Sequence, residues 1–77
     1  MKCLVEAFWD ESAKMWVATS EDVPGLVTES ANLDLLTQKL RAMVPELLIL
    51  NEIIPAKYTG QINLELITRR QELIEVA

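Results

Sequence analysis

An α+β domain with the order β-β-β-α-β is predicted by three observations. Two short segments rich in β-branched and aromatic residues, Lys2–Trp9 and Met15–Ser20, flank a polar stretch of hairpin length. Val23-Pro24-Gly25-Leu26 has Pro-Gly at its centre, where Pro presets φ and Gly takes the positive φ of a type II turn. Leu33, Leu36, Leu40, Met43, Val44 and Leu47 then recur at the three-and-four spacing of one helical face. A chain of 77 residues has room for one domain, spanning 1–77.

In the first strand Leu4 and Phe8 share one face, and Cys3, Val5, Ala7 and Trp9 share the other. Both faces carry apolar groups, so one packs on the helix and the other calls for a second cover. Asp10–Lys14 holds no Gly, which favours a four- or five-residue hairpin loop over a two-residue primed turn. The second strand places Trp16 and Ala18 opposite Met15, Val17 and Thr19. Leu26–Glu29 reads as a short third strand.

Asn32 is suited to cap the helix, because its side chain can accept from an otherwise free backbone N–H. Asp34 adds a negative charge to the first turn, where the helix dipole favours it. Thr37, Gln38 and Arg41 fall on the wet side. Pro45 lacks an N–H and crowds the carbonyl four residues back, so a kinked or closely continued helix is expected, running to about Asn51. Leu47, Leu48 and Leu50 are expected to prolong its apolar face. Ile53–Gly60 forms a connector, and Gln61–Thr68 alternates as a final strand, with Ile62, Leu64 and Leu66 opposite Asn63 and Glu65. Residues 69–77 read either as its continuation through Leu73-Ile74 or as a short helical tail.

Composition narrows the chemistry. The net charge of −5 argues against direct DNA binding, which draws much of its affinity from Lys and Arg neutralising phosphates, while a basic protein partner would be attracted. The chain has no histidine, which excludes a His-based nucleophile, and one cysteine is too few for the usual zinc sites. Its two glycines cannot build a phosphate-cradling loop, so no cofactor is expected. Cys3 reads as a small buried hydrophobe in a reducing compartment. No signal segment or apolar stretch of membrane-spanning length precedes or interrupts the domain, so a cytoplasmic location is expected.

Two sets of residues are candidates for function. Asp10, Glu29, Asp34 and Glu65 are the carboxylates a minimal metal-dependent nuclease would need to converge, although no spacing forces them together and no catalytic residue or metal ligand is assigned. Trp9 and Trp16 flank the hairpin loop, where they either stack across it or anchor a partner. With Pro24 and Leu26 of the turn they form the expected partner-binding set, while Pro24 and Gly25 shape the turn itself.

Trp16-Val17-Ala18, Asp22-Val23-Pro24-Gly25-Leu26 and the stretch from Glu29 through Leu40, in this order and spacing, resemble the N-terminal domain of HicB antitoxins. The run from Trp16 to Glu29, with Met43-Val44-Pro45-Glu46-Leu47-Leu48, is similar to small uncharacterised HicB-like proteins. The resemblance covers most of residues 2–68. It implies a partial RNase H-like fold and a non-enzymatic domain that masks a small basic RNA-cleaving toxin. HicB antitoxins carry a further DNA-binding domain, and nine residues after Thr68 cannot form one, so direct DNA binding is not expected. A homodimer is expected, since a domain this small buries little surface alone. An orphan homo-oligomeric domain and a residual nuclease are the alternatives.

Overall fold

The computed structural model covers residues 1–77. It is an α+β fold, with strands β1 (Lys2–Asp10), β2 (Met15–Thr19) and β3 (Val27–Ser30), helix α1 (Leu33–Leu50) and strand β4 (Asn63–Arg69). The sheet order is β3-β2-β1-β4. β1 pairs antiparallel with β2, β2 antiparallel with β3, and β1 parallel with β4. A parallel neighbour requires a crossover connection, which is the role of α1 and the connector after it.

The period-two pattern of β1 decides the layering. Cys3, Val5 and Ala7 are fully buried under the helix, with Ala18 beside them. From the helix, Leu36, Leu40, Val44 and Leu48 fill the same core. Burying one such leucine stabilises the fold by about 1.5–3 kcal/mol. The helical face is thus rotated slightly from the expected one. Leu48 is core, Leu47 is half-buried, and Leu50 points to solvent at 76% exposure.

Local chemistry sets the element ends. Asn32 caps α1 by accepting the Leu35 N–H at 2.8 Å. Pro45 sits inside one continuous helix, where it supplies no N–H to the Arg41 carbonyl. At the other end Glu52 adopts φ 59°, allowing the Ile53 N–H to reach back to the Leu48 carbonyl at 2.9 Å. The chain then turns, burying Ile54 under the helix.

Several expected boundaries move: the first strand runs one residue further, to Asp10, and the second ends one residue earlier, at Thr19. The third strand runs Val27–Ser30 because Leu26 is committed to the core at the turn. The last strand runs Asn63–Arg69, two residues later in its start than the alternation suggests. Beyond Arg69 the chain is neither strand nor helix, and residues 70–77 are exposed.

Candidate interaction surface

The turn at Val23–Leu26 has the expected geometry. Gly25 has φ 80°, and the Leu26 N–H donates to the Val23 carbonyl at 3.1 Å. Val23 and Leu26 are buried to 0% and 2% exposure and pin the turn against the helix. Asn51 adds a bond from its side-chain amide to the Pro24 carbonyl at 3.3 Å. Leu26 therefore presents no surface to a partner, contrary to its place in the expected binding set. Pro24 is exposed at the tip.

At the opposite end, Trp9 and Trp16 are directly paired across β1 and β2. Their rings meet edge to face at 5.4 Å between centroids, a favoured aromatic geometry. The Trp9 indole N–H donates to Glu11 at 2.6 Å, and the Arg70 guanidinium lies 4.4 Å from the Trp9 ring centroid. Both rings are half-buried, and Trp16 packs against the core. The pair closes the hairpin and ties the C-terminal segment to it.

The loop between them has four residues, 11–14, with Lys14 (φ 56°) taking the left-handed position often held by Gly. Asp10 organises it. Its carboxylate accepts the Ser12 hydroxyl at 2.7 Å and the N–H groups of Ser12 and Ala13 at 3.1 and 3.2 Å. The Ser12 hydroxyl, followed by the Ala13 N–H, holds the Asp10 carboxyl below its usual pKa. Glu11 is likewise lowered, chiefly by its bond from Lys14 and then by that from Trp9.

The carboxylates considered for metal chemistry are dispersed. Asp10 is engaged in the hairpin loop, Asp34 lies in the first turn of α1, and Glu29 and Glu65 lie on opposite edge strands. Glu65 pairs with Lys2 at 3.3 Å. No three acidic, His or Cys side chains come together in a metal-binding group. Cys3 is buried, and that burial raises its thiol pKa.

The sheet face away from the helix is the surface that sequence reasoning signalled only through the two-sided first strand. Phe8 lies at its centre at 48% exposure, between Val17 of β2 and Arg69 of β4. Val27 and Ile67 add exposed apolar area on the two edge strands. Next to this strip is a depression of about 290 Å³, lined by Leu4, Glu6, Thr19, Ser20, Glu21 and Asp22. Three of those six side chains are acidic. An apolar strip beside an acidic hollow suits a partner that is apolar and basic on one face.

The family model described as a domain of unknown function (DUF1902) matches residues 2–76. The chain belongs to the DUF1902 family. A crystal structure of a hypothetical protein from the extremely thermophilic bacterium Thermus thermophilus is similar to it, with 42% sequence identity and a TM-score of 0.75. That similarity covers 96% of this chain and 100% of the Thermus chain. No curated protein matches. The DUF1902 domain contains no helix long and apolar enough to cross a membrane.

Proposed function

We propose that this DUF1902 domain is a non-enzymatic protein-interaction module, acting as HicB antitoxin domains do by masking a small basic toxin or RNA-processing protein. The observation that carries this reading is the open sheet face, where exposed Phe8 and half-buried Val17 adjoin the hollow bearing Glu6, Glu21 and Asp22. Exposed aromatic groups bordered by charge are typical of interface anchors, and acidic rims accelerate capture of a basic partner. Trp9 and Pro24 lie outside this strip: Trp9 shares the helix-bearing face of β1 with Val5 and Ala7, and Pro24 sits at the tip of the turn at the other end.

In this reading the sheet is the degenerate RNase H-like platform of the HicB domain, used for docking. The domain works in the cytoplasm and as a homodimer. The test is co-expression with a small basic protein from the same genome, sought first in the adjacent reading frames. Growth rescue and recovery of a stoichiometric complex are expected. A toxic neighbour that is neither bound nor neutralised would overturn the antitoxin reading and leave an orphan homo-oligomeric domain.

A further inference from the structure

We propose that two copies of this chain pair antiparallel along the outer edge of β4, with Ile67 opposite Ile67 of the second copy and Glu65 opposite its Arg69. The inference deepens the homodimer part of the reading above and does not depend on a toxin.

The isolated chain exposes more than its size warrants. Its accessible surface is 5798 Å². A compact monomer of this mass exposes roughly 4,700 Å², and a standard interface removes about 800 Å² per partner. The excess is therefore of the size one interface would cover. The radius of gyration is 14.6 Å, against about 11.5 Å for a compact domain of this length. Residues 71–77 project from the body, with Leu73, Ile74 and Val76 at 101%, 82% and 93% exposure. No part of the chain covers them.

β4 is an edge strand, hydrogen-bonded only to β1. Asn63 donates its N–H to Met1 at 2.7 Å, so odd-numbered residues of β4 turn their backbone groups inward. Strand alternation then leaves the N–H and C=O groups of Leu64, Leu66 and Thr68 pointing outward and unpaired within the sheet. In the proposed register, Leu66 faces Thr68 of the second copy, so these outward groups bond each other. Ile67 and its counterpart form the closer, non-hydrogen-bonded pair on the two-fold axis.

Charge selects this register among those that keep the open faces continuous. An axis at Glu65 opposes two glutamates, and one at Arg69 opposes two arginines. Axes at Leu66 or Thr68 leave both charges facing neutral residues. Only the axis at Ile67 sets Glu65 against Arg69 twice. Charged residues commonly block an exposed edge; opposite charges equidistant from Ile67 permit one pairing.

The same register carries Gln71 alongside Asn63 of the second copy, and the projecting residues beyond it toward that copy's Ile62. There lies a groove of about 360 Å³ between α1 and β4, with Leu40, Val44, Pro45, Ile62 and Leu64 on its walls. Extended in the strand alternation of β4, the arriving segment would turn Ile74 and Val76 to the side on which this groove opens. Arg41 at its margin meets the acidic residues of the arriving segment.

Sedimentation of the full chain at micromolar concentration tests the pairing. The unmodified chain should have the mass of two copies. Glu65→Arg and Arg69→Glu should each weaken self-association about tenfold or more by opposing like charges. Mixed in equal amounts, these two variants should form a mixed pair, visible by native mass spectrometry, because both contacts become complementary again. Thr68→Pro is an independent variant that removes an outward N–H without touching the β1 ladder, and it should also yield single chains. A single-chain mass for the unmodified protein, or charge variants that associate as it does, would overturn the proposal. A single chain that still rescued growth would contradict this pairing alone; a dimer without a basic partner would contradict the antitoxin reading alone.

Discussion

The Leu4 backbone N–H donates to the Asp22 carboxylate at 2.7 Å, and the Leu4 carbonyl accepts the Ser20 hydroxyl at 2.5 Å. The antiparallel pairing of β1 with β2 ends at Glu6 and Thr19. One step further along β1, side chains of the departing loop replace the missing strand. Ser20 also accepts the N–H groups of Asp22 and Val23, at 3.1 and 3.2 Å, which bends the chain toward the Pro-Gly turn. Asp22→Ala should cost about 0.5–1.5 kcal/mol in urea unfolding, the usual value of one such bond. Asp22→Asn, which keeps an acceptor oxygen, should cost less.

Gly25 separates backbone strain from crowding. A Cβ added there meets Leu47 Cδ2 at 3.8 Å, an ordinary contact, so space is available. The φ of 80° is unfavourable for any L side chain. Gly25→Ala should therefore destabilise by about 1–2 kcal/mol through conformation alone. Thermal unfolding with an unchanged far-ultraviolet spectrum would check it.

The converse holds at Glu52, a non-glycine residue at φ 59° just past the helix. Glu52→Gly should stabilise the domain by up to about 1 kcal/mol, since glycine takes the left-handed cap without penalty. Its looser unfolded state will offset part of that gain. A higher urea midpoint with unchanged slope is the expected result.

Hairpin stability should fall in acid. The Asp10 and Glu11 carboxyls are held below their ordinary values of 3.8 and 4.5 in the folded state. Their contribution is present above those ordinary values and is lost as pH falls through the lowered folded values. Asp10→Ala should lower the melting temperature at neutral pH and flatten its decline in acid. Melting curves from pH 7 to pH 2 decide the point.

Much of the fold is legible in local patterns. Asn32 marks the helix start, Pro24-Gly25 the turn, and the alternation of β1 the buried face. What escapes the sequence depends on contacts between distant segments. Leu26 reads as a strand residue beside an exposed turn, yet its side chain is buried in the core with Val23 and the helix leucines. Leu50 continues an apolar run, but the helix has passed the sheet by that point, and Leu48 takes the last core position. Ser20 and Asp22 read as loop polarity, and only the adjacent β1 backbone gives them their role. The open sheet face is foreshadowed by Leu4 and Phe8, while the acidic hollow beside it assembles residues from two strands and a loop.

Binding of a small basic protein encoded in an adjacent reading frame, compared between the unmodified chain and Phe8→Asp, tests whether the open sheet face is a docking surface. Phe8 is only partly covered there, at 48% exposure, so the variant should still fold with the same far-ultraviolet spectrum, at a melting temperature lowered by several degrees. Its affinity should fall about 100-fold or more, as expected for loss of a central aromatic anchor. Equal affinity for both chains, or no binding by the unmodified one, would contradict that role.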